Sequence, residues 1–426
     1  MGTRRTRDVA PRADGSEPRS NGCSDDAPYD PLARCVGQVS RFFEDVWTCK
    51  PQHYRDVDST HFADVLSLDA IDALLAPGGL RAPALRMVRG GKAIPRSSYT
   101  SSQTTAGTRI DDAIDSDAVL RAFAGGATLV LQGLHRFLPS VQRFCAGIEG
   151  TVGHPVQANA YLTPAGGERG LGVHHDTHDV FVLQLFGTKR WRLYGVETEN
   201  PVARFPTSRR YADPGEPVSV HELTAGDCLY LPRGVPHDAE SLETAALHLT
   251  LGVRSPTWLD VMQRVFATAH EHPELRESLP VAYADDPGAF EAATAQTLDR
   301  AAKWLASRDP ARIARQEIAR RVAPPVARRG RLMRLASAGP IESNTPLERI
   351  GPPWTLSLHE AHATLSAPNR RVRLRFPARV APALRVLVDA SEFCAEDLGD
   401  LLDPPGALVL VRRLHREGLV HRTDVE

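Results

Sequence analysis

Three side chains near the middle of the chain have the types and spacing of a metal centre that keeps coordination positions open. His174 and Asp176 stand two apart in GVHHDTHDVFVLQLFG, and His237 follows in LYLPRGVPHDAE, 63 residues after His174 (237 − 174). Two imidazoles and one carboxylate on one face of a ferrous ion form the facial triad, which leaves positions for a co-substrate and for oxygen. On a strand, residues i and i+2 share a face, so His174 and Asp176 can reach one ion without bending the backbone. The third ligand must come from a neighbouring strand, and the chain between is long enough to wrap a small barrel and return. A bare HxD pair is common by chance. The weight comes from a distant His at the start of a strand in an all-β block.

If 2-oxoglutarate is the co-substrate, its keto-acid end chelates the metal and its far carboxylate needs a cation. Lys189 is the candidate. In KRWRLY alternate residues share a face, so Lys189, Trp191 and Leu193 point one way and Arg190, Arg192 and Tyr194 the other. An inward lysine among apolar neighbours is costly unless paired, and a bound dicarboxylate would supply the pair. The alternative is an exposed lysine in the turn after Gly187-Thr188. His178 continues the parity of His174 and Asp176 but stands too far along to join the same coordination sphere, so it is expected to line the pocket or touch substrate. His154 and His221 carry little signal. His248, in ALHLTLGV, reads as a hydrogen-bonded core histidine, and Asp227, in TAGDCLYLP, as a turn residue.

These residues need a β-scaffold, and the chain supplies one. From about 154 to 254 short apolar or alternating runs (VQANAYLTP, GVHHD, DVFVLQLFG, KRWRLYG, VSVHEL, DCLYLPRG, ALHLTLGV) are separated by Gly, Pro and Asp, the pattern of a small antiparallel sandwich or barrel. Before it, residues 31 onward read as helical, SLDAIDALLAPGG as a Ser-capped helix, RAPALRMVRGGKAIP as a strand running into a loop, and IDSDAVLRAFAGGATLVLQGLHRFLPSVQRFCAGIEGTVG as helix, strand, helix. After it the period turns helical over 255–344, with Ser255-Pro256 placed to cap the first helix. From 345 to 426 a strand with alternating Val372, Leu374 and Phe376 leads into three helices and a short LVHR strand, an order that suggests a winged-helix-like module. Residues 1–30 mix charges and turn formers with few large apolar groups and are expected to be a disordered tail.

Lys+Arg 51 against Asp+Glu 52 leave a net charge of −1, so no whole-chain field draws the protein to nucleic acid or an anionic membrane. The six cysteines are scattered without a CxxC pair, as expected of reduced thiols in a cytoplasmic protein, and no apolar run has the length of a membrane span. Local basic stretches remain, with Arg312, Arg315, Arg320, Arg321, Arg328, Arg329, Arg331 and Arg334 in one and Arg412, Arg413, His415 and Arg416 in another. They read first as solvated faces, with nucleic-acid contact a secondary possibility.

The segments FFEDVWTCKP, FADVLSLDAIDALLA, GATLVLQGLHRFLP, GHPVQANAYLTP, VHHDTHDVFVLQLFGTKRWRLY, LTAGDCLYLPRGVPHDAE and LHLTLGV, in order over about 40–254, resemble the JmjC/cupin-type 2-oxoglutarate oxygenases of the ribosomal-oxygenase class. The resemblance implies an α+β fold: a double-stranded β-helix core within a catalytic domain at 31–254, a helical dimerisation domain and the winged-helix-like module. It implies His174, Asp176 and His237 as iron ligands, Lys189 as partner of the co-substrate carboxylate, and contributions from Asn159 and Tyr161 to that pocket. It also implies a homodimer acting on a protein, such as an Arg or His side chain of a ribosomal protein. One departure is His175, where the family has tyrosine; lying between two same-face ligands, it is expected to point away from the metal.

The expected chemistry is Fe(II)-, 2-oxoglutarate- and O2-dependent hydroxylation with release of succinate. Three alternatives stay open: the same chemistry on a biosynthetic peptide or small metabolite; a cupin holding Zn or Ni, or a metal-dependent isomerase or hydrolase, which would not need Lys189; and a DNA-binding regulator with a degenerate β-core.

Overall fold

A computed structural model describes residues 30–424 apart from 77–78, 167–170, 204–210, 212–213, 321–338, 351–353 and 368–371. The tail expected at 1–30, all but Asp30, and the arginines at 321, 328, 329, 331 and 334 lie outside the described residues.

The entry region is helical, as its periodicity predicts. Helix α1 (Pro31–Val36) starts on Asp30, whose carboxylate accepts the Leu32 and Ala33 amides, and α2 (Val39–Asp45) follows. In α3 (Leu68–Leu75) Ser67 caps the first turn by accepting the Ala70 amide at 3.1 Å. Further on, α4 (Ser116–Ala124) and α5 (Pro139–Val152) flank a buried strand.

The strands of the first part are β1 (Gln52–Tyr54), β2 (Leu85–Arg89), β3 (Lys92–Ala93), β4 (Thr100–Thr105), β5 (Thr108–Ile114) and β6 (Thr128–Gln132). The β4–β5 hairpin has no apolar alternation to announce it, because most of its residues are exposed; its turn places Ala106 and Gly107 at φ 48° and 78°. The central block contributes β7 (Val156–Thr163), β8 (Asp179–Phe186), β9 (Lys189–Leu193), β10 (Ser219–Leu223), β11 (Cys228–Leu231), β12 (His237–Ser241) and β13 (Ala246–Val253).

Apart from the separate β4–β5 hairpin, these strands form two sheets. An eight-stranded antiparallel sheet runs β1-β11-β8-β13-β7-β6-β2-β3, and a three-stranded one runs β10-β9-β12. The sheet thus extends beyond the block at 154–254 and recruits strands from as far back as Gln52. Strand parity sorts the side chains. Phe181, Leu183, Tyr230, Leu247, Leu249 and Leu251 face Leu32, Phe42, Phe144 and Ile148 of the helices in the main core. Val180, Val182, Leu229 and Leu231 point the other way and meet Trp191, Leu193 and Leu223 of the smaller sheet. That inner cluster fills one part of the space between the sheets; the polar residues described below share the same inward parity.

Beyond the β-block come α6 (Trp258–Phe266), α7 (Pro287–Ala306) and α8 (Pro310–Arg320). The cap of α6 is Thr257 rather than Ser255, because Thr257 and Asp260 form a reciprocal capping box that Ser255, two residues earlier, cannot make. Among the described residues of these helices only Val265 and Trp304 are buried apolar side chains.

Residues 339–424 build their own core around Leu347, Trp354, Leu365, Phe376, Leu384, Leu387, Val411 and Leu414. Val372–Pro377 is the expected strand, and Ala381–Asp389 and Pro404–Arg416 are the expected helices. The helix expected in AEDLGDLL is a single 3-10 turn, Glu396–Leu398, where the Asp397 carboxylate accepts the Cys394 amide at 2.7 Å and Gly399 follows. Among the described residues no helix is long and apolar enough to cross a membrane.

Candidate metal centre

The GVHHD run, expected as a strand, is reduced to a single bridge. His174 lies opposite His237 at the start of β12, and each amide donates to the other's carbonyl, at 3.1 Å and 2.8 Å. This exchange fixes the two histidines across from one another, with ring centroids 4.6 Å apart. One ligand atom each from His174, Asp176 and His237 lie within 4.8 Å of one another. The Asp176 carboxylate stands 3.9 Å from His237 Nε2.

Both imidazoles are held alike. His174 Nδ1 donates to the Gly172 carbonyl and His237 Nδ1 to the Val235 carbonyl, each at 2.9 Å and each two residues back in the chain. A carbonyl only accepts, so the protons sit on Nδ1 and both Nε2 lone pairs are left for a cation. Burial, reinforced by His174, pushes the His237 pKa down to about 4, so its ring is neutral at physiological pH. Two imidazoles oriented from behind and one carboxylate are the donor set that suits ferrous iron with open positions, and the residues present fit that ion.

Lys189 points inward from the start of β9. Its strand is entered through Gly187, whose φ of +63° and lack of a Cβ let the chain pass the Ala245 carbonyl. The ammonium is buried, donates to Thr163 Oγ1 at 2.8 Å and lies 3.0 Å from His248 Nδ1. Burial lowers its pKa to about 7, and among the described residues no carboxylate pairs with it. The exposed-turn alternative is therefore excluded by its position.

Asn159 and Tyr161 follow the same inward parity on β7. Asn159 Oδ1 accepts the Gly133 amide at 2.9 Å, anchoring the turn after β6. Burial and then the Asp176 carboxylate raise the Tyr161 pKa, while Arg86 from β2 and Asn159 lower it. His178 is not in the three-residue cluster; its ring lies over Gly252, where a Cβ would stand 3.0 Å from it. His175 is buried with Nδ1 2.8 Å from the Tyr211 hydroxyl. Asp227 is a turn residue, accepting the Thr224 amide at 3.0 Å and meeting His53 Nε2 at 3.1 Å. His221 lies apart, 3.0 Å from Ser219 Oγ.

Sequence reasoning passed over Thr163, Arg86 and the second role of His248. The alternation of β7 from Asn159 through Tyr161 to Thr163 was the signal for the first. His248 is indeed a hydrogen-bonded interior histidine, but its partner is Lys189.

The JmjC-domain family profile matches residues 131–261, the segment that supplies all three members of the cluster and Lys189. Over 174 residues the chain is 37% identical to the bifunctional lysine-specific demethylase and histidyl-hydroxylase NO66 of Dictyostelium discoideum, covering 39% of this chain and 34% of that protein. Residues 131–261 are thus similar to a JmjC domain. The chain is also 30% identical to ribosomal oxygenase 1 of Gallus gallus over 244 residues, 55% of this chain and 39% of that one. The chain thus spans less than half the length of these curated relatives. Among solved structures, the ribosomal oxygenase YcfD from Escherichia coli, in complex with cobalt and 2-oxoglutarate, aligns over 90% of this chain and 98% of that one at 18% identity and a TM-score of 0.45.

Proposed function

We propose that this JmjC protein is an Fe(II)- and 2-oxoglutarate-dependent oxygenase that hydroxylates a side chain of a protein, an Arg or His of a ribosomal protein being the favoured target. The observation that carries the reading is the cluster of His174, Asp176 and His237 with both Nε2 atoms presented, beside a buried lysine that lacks an acidic partner among the described residues. When bound, iron with 2-oxoglutarate and O2 supplies an oxidant for a C–H bond and releases succinate and carbon dioxide. The chain's own residues do the rest. His174, Asp176 and His237 hold the metal from one face, Lys189 receives the far carboxylate, and Asn159 and Tyr161 line the space between. The apolar cluster around Val180, Val182 and Leu229 keeps water from the interior.

A zinc or nickel cupin, isomerase or hydrolase has no use for a buried unpaired cation at that depth, which favours the oxygenase. The names of the relatives, a histidyl-hydroxylase and ribosomal oxygenases, support a polypeptide substrate over a small metabolite.

In this reading 31–254 is the catalytic domain, 255–344 a dimerisation domain and 345–426 a winged-helix-like domain of a cytoplasmic homodimer. Trp258 (80% exposed), Leu298 and Ile318 leave the helical segment with apolar surface that a second copy would cover. A nucleic-acid role for the last domain gains little from its third helix: Arg412 donates to the Ile341 carbonyl and Arg413 lies 5.1 Å from the Phe376 ring centre, both inside the module.

The deciding experiment is succinate release from 2-oxoglutarate by the anaerobically iron-loaded chain, with and without ribosomal proteins, beside a His174→Ala control. Turnover that rises with the added proteins and disappears in the variant is the expected result. A chain that binds metal yet turns over nothing under any condition would overturn the proposal.

A further inference from the structure

Among the described residues Lys189 Nζ has two neutral partners, Thr163 Oγ1 and His248 Nδ1. An ammonium only donates, so His248 Nδ1 is the acceptor and the imidazole carries its proton on Nε2. His248 is itself held tightly. Its ring stacks on Tyr161 with centroids 4.8 Å apart and planes 9° from parallel, and it meets the edge of Trp191 at 5.2 Å and 75°. Thr163 Oγ1 is in turn 3.3 Å from Thr128 Oγ1. Burial, with Lys189 and His237 beyond, drives the His248 pKa far below its ordinary value, so the ring stays neutral.

This arrangement has an electrostatic consequence. A carboxylate at either partner position would hold the ammonium more firmly but would also cancel its charge inside the protein. Two neutral acceptors fix the direction of the Nζ and leave the charge uncompensated. An ammonium carries three donors, and the two interactions above leave one for a ligand.

We propose that His248 is a positioning residue for the distal carboxylate of 2-oxoglutarate: a neutral acceptor that aims Lys189 and keeps its charge available to the incoming anion. This rests on the oxygenase reading of the same site. It predicts that the neutrality of residue 248 matters more than its shape. Exchanging His248 for glutamine keeps a neutral acceptor; exchanging it for the nearly isosteric glutamate keeps the acceptor but adds a charge.

The test is calorimetric titration of 2-oxoglutarate and, separately, oxalate into the Mn(II)-loaded full chain as wild type, H248Q, H248E and H248L. Oxalate offers a chelating end without the distal arm. Its Kd is expected to stay within about twofold in every variant, while 2-oxoglutarate binding weakens no more than about threefold in H248Q and at least about tenfold in H248L and H248E. Equal losses in H248Q and H248E, or a H248E chain that binds 2-oxoglutarate as well as H248Q does, would mean that the ring only packs, and would overturn the proposal. Loss of oxalate in parallel with 2-oxoglutarate would assign His248 to upkeep of the metal centre and overturn it as well. Should H248E not fold, Thr163→Asn and Thr163→Asp repeat the neutral-against-acidic comparison from the other side of the ammonium. A wild-type chain that binds oxalate but not 2-oxoglutarate would reject the oxygenase reading itself, and the role of His248 with it.

Discussion

His175 Nδ1 stands 2.8 Å from the Tyr211 hydroxyl, and the Tyr211 amide donates to the Val173 carbonyl at 3.2 Å. A residue of the β9–β10 connection is therefore tied at two points to the segment that carries His174 and Asp176. His175 is a paired, buried residue outside the three-residue cluster.

Removing the side-chain tie should loosen the metal-binding segment without dismantling it. Tyr211→Phe deletes one hydrogen bond, worth about 1 kcal/mol, so the Mn(II) Kd is expected to rise about fivefold with little change in Tm. An unchanged Kd would reduce the contact to packing.

Asp176 is the single anionic member of the cluster, and its loss should be felt most by the cation. In Asp176→Ala the stabilisation by metal is expected to vanish. For the wild type, a metal concentration of 100 times Kd adds about 2.7 kcal/mol to folding, which a thermal melt with and without Mn(II) reads directly. A variant that still gains Tm from metal would remove Asp176 from the ligand set.

Much of the scaffold was legible in the sequence because its cause is local. Alternation in VQANAYLT and KRWRL reports strands with one face inward, and Ser67 announces α3 by the bond it makes. His174, Asp176 and His237 were legible as a group because a two-residue spacing and a distant partner survive even where the first strand shrinks to one bridge. What escaped depends on long-range contact. Arg86 reaches Tyr161 only because β2 joins the far side of the large sheet, and Thr163 and His248 meet Lys189 only once β7, β13 and β9 are assembled. The β4–β5 hairpin escaped for the opposite reason, since a hairpin exposed over most of its length leaves no apolar period to read.

Asp227 holds the turn into β11. It accepts the Asp56 and Thr224 amides at 3.0 Å each and meets His53 at 3.1 Å, with the His53 and Asp227 side chains shielded from water. Replacing it by alanine leaves partly buried donors without their acceptor, so Asp227→Ala is expected to cost about 3 kcal/mol in urea denaturation. A cost under about 1 kcal/mol would show that water replaces the carboxylate.

The exposed apolar face of α6 offers a direct reading of assembly. Trp258 and Leu259 are 80% and 50% exposed in the single chain. If a second copy covers them, Trp258→Glu converts a dimer into a monomer in sedimentation, and the wild type sediments as a dimer. A wild-type monomer at micromolar concentration would remove the helical segment from that role.

The ionisation of Lys189 gives the site a pH signature. Burial lowers its pKa from 10.5 to about 7. Between those values the unfolded chain binds the proton that the folded chain has released, so the stability of the ligand-free protein rises with pH across that window; below about 7 the full cost of burying the charge is present. A dianionic ligand reverses the balance, because it pairs with the ammonium and restores the proton. Binding of 2-oxoglutarate therefore takes up a proton above pH 7, and its affinity should fall as the pH climbs from 7 to 9, approaching about tenfold per unit where uptake is complete. Lys189→Arg provides the control, since a guanidinium stays charged throughout and should flatten the profile whatever its absolute affinity. Calorimetric Kd values at pH 6, 7, 8 and 9 for both chains decide the matter. The same slope in both would place the titrating group elsewhere, and a flat wild-type profile would mean that Lys189 keeps its proton without the ligand.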